Sequence, residues 1–180
     1  MDIKSIAVFC GSRRGNNPAY AEAAQELGTA LGQAGLTLIY GGGKMGLMGV
    51  VASAVLEGGG HVKGVIPEFL THTEGMHEDV TDLTVTEDMP SRKAELFTLP
   101  DAYVVLPGGM GTLDEFAEVL VNRQLHQCAK PIWLLDTAGW ATPLLSAFKA
   151  MTEQGFADDT AKLFTVMKSV PALMAAIKEA

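Results

Sequence analysis

The chain has 180 residues, 48% of them hydrophobic and 19% charged, which suits one globular domain with a real core rather than a disordered chain. A formal net charge of −8 argues against a nucleic-acid-binding surface, and no apolar run is long enough to span a bilayer. Cys10 and Cys128 lie far apart without a CxxC partner, and His61, His72, His77 and His126 show no metal spacing, so neither a disulfide framework nor a metal site is expected.

Strand-like and helix-like segments alternate along the chain. Met1-Asp2-Ile3-Lys4-Ser5 leads straight into a strand at Ser5 to Cys10, without signal-peptide architecture, so a cytoplasmic protein is expected. After Gly11-Ser12-Arg13-Arg14-Gly15-Asn16-Asn17, Pro18 opens a helix running to Gln33, and Gly35 stops it. Leu36 to Tyr40 reads as the second strand and ends in Gly41-Gly42-Gly43. A helix over Gly46 to Glu57 follows, and then a strand over Val62 to Ile66. Phe69 to Val80 has weak periodicity and reads as a loop. A short strand at Leu83 to Val85 precedes a helix at Ser91 to Leu99, with Ser91 as N-cap. The apolar run Ala102 to Leu106 reads as a buried strand, and Leu113 to Leu125 as a helix. Pro131 to Leu135 is another strand, Trp140 to Gln154 a helix, and Pro171 to Lys178 the last helix.

Strands separated by helices of about a dozen residues imply βαβ units and a parallel sheet. The expected fold is a Rossmann-like α/β domain over residues 1–180, a doubly wound sheet with helices on both faces. The glycine turns Gly11-Ser12, Gly41 to Gly43 and Gly108-Gly109 each follow a strand, so they gather at the carboxyl edge where such folds bind ligands. The helix from Gly46 is apolar almost all round, and the helix from Leu113 nearly so, which predicts burial on more than one side and a homodimer through these two helices.

Pro107-Gly108-Gly109-Met110-Gly111-Thr112-Leu113-Asp114-Glu115 places a glycine turn between a strand and a helix. Free backbone N–H groups at the positive end of a helix dipole make an anion site, and phosphate is the usual anion. Asp114 and Glu115 would lie beside that anion. The same residues also read as a capping box, with Thr112 as N-cap and Glu115 reaching back. Gly41-Gly42-Gly43-Lys44-Met45-Gly46 fits GxGxxG, with Glu68 further on, but follows the second strand. It reads as a dinucleotide turn or as a second glycine turn approaching the ligand of Gly108-Gly109. Arg92-Lys93 at a helix start opposes the dipole unless an anion is bound. With Arg13, Arg14 and Lys44 it would make a positive crevice on an acidic protein. Cys10, on a buried strand without a histidine near it in sequence, is expected to be inert.

Pro107-Gly108-Gly109-Met110-Gly111-Thr112 with Glu115 resembles the PGGxGTxxE signature of the LOG ("Lonely Guy") family. Phe9-Cys10-Gly11-Ser12, Tyr40-Gly41-Gly42-Gly43 with Gly46-Leu47-Met48-Gly49, and Met89 with Arg92-Lys93-Ala94-Glu95 match its other landmarks, so the likeness spans nearly the whole chain. Pro90 departs from the family's DMHxRK element, which has His there. The resemblance implies a phosphoribohydrolase or AMP nucleosidase that cleaves the N-glycosidic bond of an adenine-type nucleoside 5′-monophosphate. It implies Arg92 and Glu115 as the catalytic pair and Gly108, Gly109, Met110, Gly111 and Thr112 as the phosphate holder. Gly11, Ser12, Gly42, Gly43, Met89, Lys93 and Asp114 complete the expected binding set, and no cofactor or metal is expected. Two rivals follow from related labels and folds. A nucleotide or pterin carrier would bind without turnover, and a pyridoxal-phosphate decarboxylase would need a Schiff-base lysine, for which Lys44 and Lys93 are the only candidates.

Overall fold

The computed structural model describes residues 2–180 and contains seven strands and six helices. The strands are β1 (Ser5–Phe9), β2 (Thr37–Tyr40), β3 (Val62–Pro67), β4 (Asp82–Thr86), β5 (Ala102–Val105), β6 (Ile132–Leu135) and β7 (Thr165–Met167). The helices are α1 (Pro18–Gln33), α2 (Gly46–Glu57), α3 (Met89–Thr98), α4 (Met110–Gln124), α5 (Thr142–Glu153) and α6 (Val170–Glu179). All pairings are parallel, in the order β4-β3-β2-β1-β5-β6-β7. Strand order reverses at β1, whose Ile6 to Phe9 register against Ala102 to Val105 of β5, and the crevice above that pair is where a ligand enters this architecture.

Alternation along β1 builds both cores. Ile6, Val8 and Cys10 face α1, α2 and α6, while Ala7 and Phe9 face the layer that holds Leu96, Phe116, Val119 and Leu120. The apolar circumference of α2 is filled within the monomer. One side meets the sheet and the other meets α1, where glycines let two helix backbones touch. A Cβ at Gly28 would lie 2.5 Å from the Val51 carbonyl oxygen, and one at Gly32 would lie 2.6 Å from that of Val55. Val51 and Val55 have no exposed surface. The expectation that α2 needs a second subunit is therefore corrected. Gly28 and Gly32 cover it from α1, a contact hidden from a reading that treats glycine as a turn residue.

The loop expected over Phe69 to Val80 is folded into successive turns, Glu68–Leu70 and Thr71–Gly75, and then tied down. Gly43 bridges Met76, the His77 N–H donates to the Gly42 carbonyl at 3.1 Å, and the His77 ring lies 3.1 Å from the Ser53 hydroxyl. Strand β7 has no counterpart in the sequence reading, because three half-exposed edge residues carry no alternation to detect. Asp88, not Ser91, caps α3. Its Oδ1 accepts the Ser91 N–H at 2.8 Å, and Pro90 sits in the first turn where its missing N–H costs nothing.

Candidate active site

Three glycine turns meet at the carboxyl edge. The Gly11 N–H donates to the Pro107 carbonyl at 3.0 Å, and the Leu47 N–H donates to the Gly11 carbonyl at 2.9 Å, which ties the loops after β1, β2 and β5 together. Gly46, at φ 64°, lies so close to the backbone of Ser12 and Arg13 that a side chain would strike it. Between these loops lies a cavity of about 560 Å³, floored by Val8 and Cys10 and rimmed by residues 11–15 and 107–112.

Helix α4 starts at Met110 with Gly109 as its N-cap, and no side chain caps it. The first-turn N–H groups of Met110, Gly111 and Thr112 have no intrahelical acceptor and stand at the cavity rim, as a phosphate site requires. The capping-box reading is thus corrected. Thr112 is the third helical residue, only 3% exposed, and packs so closely on Gly108 that no Cβ fits there. Glu115, the sixth helical residue, lies beyond the first turn and lines the cavity.

Glu115 faces Arg92 across the floor, Oε1 to Nη1 at 3.5 Å, with both side chains about nine-tenths buried. The Arg92 guanidinium also donates from Nε to the Val65 carbonyl at 3.1 Å and from Nη2 to the Gly41 carbonyl at 3.4 Å. Gly41 is close enough to that Nη2 that any side chain there would displace it. Two carbonyl anchors therefore aim Arg92 at Glu115. Cys10 lies beside them. Burial first, and the nearby Glu115 charge second, push its thiol far above the ordinary range, so it stays protonated and is no nucleophile.

The cavity gathers Gly11, Ser12, Arg92, Gly108, Gly109, Met110, Gly111, Thr112 and Glu115 from the expected set. Gly42, Gly43, Met89, Lys93 and Asp114 do not line it. Gly42 and Gly43 hold the 76–77 segment, and Met89 offers its sulfur to Arg92 Nη1 at 3.9 Å. The Lys93 ammonium bridges α3 to α4 through Asp114 Oδ2 at 2.6 Å and Glu118 Oε2 at 2.9 Å. Burial works against its charge, but these hydrogen bonds hold its pKa above the usual lysine value. Lys93 thus fixes the spacing of the helices that carry Arg92 and Glu115. Pro90 is exposed and outside the cavity.

Sequence reasoning missed Tyr20 and Trp140, which wall the cavity beyond the glycine cradle. Trp140 is delivered by a rigid loop. Buried Asp136 accepts the Ala141 N–H at 2.9 Å and pairs with Lys168 at 2.7 Å, and Ala138 sits at φ 51°, where a non-glycine residue is strained. Burial opposes the Asp136 charge, yet Lys168 and the Ala141 N–H hold its carboxyl below the ordinary range. The Asp136 to Trp140 spacing at the end of a strand was the available signal.

A family model described as "Possible lysine decarboxylase" matches residues 48–177. The cytokinin riboside 5′-monophosphate phosphoribohydrolase LOG1 of Arabidopsis thaliana is 44% identical over 177 residues, which cover 98% of this chain and 82% of that protein. The corresponding LOG3 of the same plant is 41% identical over 177 residues, 98% of this chain and 81% of its own length. Among solved structures, the molybdenum cofactor binding protein from Rippkaea orientalis shares the fold, with TM-score 0.75 at 24% identity over 99% of this chain and 98% of that one.

Proposed function

The chain belongs to the LOG family of cytokinin riboside 5′-monophosphate phosphoribohydrolases, and from that membership we propose that it hydrolyses the N-glycosidic bond of an adenine-type nucleoside 5′-monophosphate. The products are the free base and ribose 5-phosphate. The observation that carries this reading is the buried Arg92–Glu115 pair, held about one helical turn from the row of helix-start N–H groups.

The chemistry follows from those parts. The phosphate sits on the α4 N-terminus, and the ribose then extends along the cavity toward Glu115. As the C1′–N bond breaks, its electron pair leaves with the base and positive charge builds on the ribose. The Glu115 carboxylate stabilises that charge and takes a proton from the water whose oxygen bonds to C1′. The leaving nitrogen takes up a proton. Arg92, touching backbone carbonyls on one side and Glu115 on the other, pairs with the carboxylate and aims it. Gly11 and Ser12 close the cavity over the substrate.

A pyridoxal-phosphate enzyme does not fit this cavity. Among the described residues no lysine lines it: Lys44 is exposed outside it, and Lys93 is committed to Asp114 and Glu118.

Incubation of the purified protein with AMP and with isopentenyladenosine monophosphate should release free base from at least one of them. Adenosine should react at least about 10²-fold more slowly, since it forfeits charge-assisted contacts worth on the order of 1.5–3 kcal/mol each. Binding of AMP without any base release would make the protein a carrier and overturn the proposal.

We further propose a homodimer, supported now by α4 alone. Val121 and Leu125 lie one turn apart on its outer face and are 51% and 59% exposed. Sedimentation at micromolar concentration should give a dimer, and Leu125→Asp should give folded monomer; a wild-type monomer would end this reading. Cys10 and Cys128, both free, suit a reducing compartment, and a cytoplasmic location is part of the same proposal. No described helix is long and apolar enough to cross a membrane.

A further inference from the structure

The structure leaves the phosphate charge without its expected partners. A nucleoside monophosphate carries close to two negative charges at neutral pH. Of the cations assigned to it from the sequence, Lys93 is spent between Asp114 and Glu118, and Arg92 is spent on Glu115 and two carbonyls. The Arg92–Glu115 pair contributes no net charge to the cavity. Backbone N–H groups and the half-charge of the α4 dipole do not balance a dianion in a chain of net charge −8.

Two other cations line the cavity, Arg13 and Arg14. Both are exposed, and no hydrogen bond or ion pair engages their side chains among the described residues. Their loop is fixed rather than loose. The Ser12–Arg13 backbone is pressed against Gly46 of α2, and the Tyr20 ring packs over Gly15, where φ is 74° and a Cβ would meet the ring at 2.8 Å. The loop is thereby held over the rim formed by residues 107–112. On the reading given under the proposed function, we infer that Arg13 and Arg14 are the side chains that neutralise the substrate phosphate and set the preference for a 5′-monophosphate over a nucleoside. Arginine forks suit a phosphate, and two of them match its charge. Their contact stays the same from ground state to transition state, because the phosphate does not react, so they act on binding rather than on turnover.

The test uses ribose 5-phosphate as a calorimetric probe and AMP as substrate, on wild type, the Arg13→Ala/Arg14→Ala double variant and the Arg13→Lys/Arg14→Lys double variant. The alanine pair should weaken ribose 5-phosphate binding about 10- to 100-fold and raise KM for AMP by a similar factor, with kcat within about threefold of wild type. The lysine pair should fall between the two, since it keeps charge and loses the fork. Raising the salt concentration should weaken binding to wild type more than to the alanine pair. Unchanged ribose 5-phosphate affinity in the folded alanine pair overturns the assignment. A loss confined to kcat also overturns it. If wild type releases no base from AMP, the hydrolase reading fails, while the calorimetric arm still decides whether these arginines hold the phosphate.

Discussion

Glu115→Gln is expected to lower turnover of the nucleotide substrate by about 10²–10⁴-fold. Glutamine keeps the shape and loses the charge, so it neither stabilises an oxocarbenium ion nor accepts a proton from water. The geometry removes the rival explanation that this residue merely caps a helix, since α4 begins at Met110 and Gly109 is its cap. It adds a second expectation. Arg92 is buried against Glu115, so the amide leaves a guanidinium without its counter-charge, although the Val65 and Gly41 carbonyls remain. Breaking a fully buried pair costs about 3–5 kcal/mol, and the two retained carbonyl contacts should hold the loss to about 1–3 kcal/mol. The checks are base release, melting temperature and ribose 5-phosphate affinity on one preparation. Turnover near wild type with a lowered melting temperature would make the pair structural and move the chemistry elsewhere. Ribose 5-phosphate affinity should hold within a few-fold, because the cradle uses backbone N–H groups that the substitution does not touch.

The second large effect lies in the core. Val51→Glu should abolish folding or lower the melting temperature by about 10–20 °C, the shift expected from several kcal/mol in a domain of this size. Val51 has no exposed surface and belongs to the apolar core cluster between the sheet, α1 and α2, so a carboxylate there is buried among hydrophobic side chains. The same substitution on a residue covered only by another subunit would instead give folded monomer. Circular dichroism and sedimentation on the one variant separate these outcomes. A folded, monomeric Val51→Glu protein would mean that α1 does not seal α2.

Much of the fold was legible because alternating strand and helix periods and strand-end glycines all point to one parallel sheet. Helices α1 and α2 fall where Pro18, Gln33, Gly46 and Glu57 place them. What stayed hidden depends on three-dimensional contact. Gly28 and Gly32 look like helix defects until α2 is laid against them. Lys93 looks like an anion ligand until Asp114 and Glu118 from the next helix reach it. Ser91 and Thr112 look like caps because each precedes an apolar run, while Asp88 and Gly109 take the role three residues earlier. Trp140 is carried to the cavity by Asp136 and a strained Ala138, through hydrogen bonds that no residue pattern displays.

The meeting of three glycine turns also divides the site by how far it can drift. Gly11, Gly41, Gly46 and Gly108 each face backbone or a fixed side chain too closely to admit a Cβ, so the part that grips the anion is closed to inherited change. The opposite rim carries no such limit. Trp140 can be exchanged without touching a buried strand, and a library of variants at that position would sample new ligand preferences on an unaltered phosphate grip and reaction centre. Lineages of this protein that diverge in the nucleotide they accept should therefore differ at that rim while sharing the glycines letter for letter.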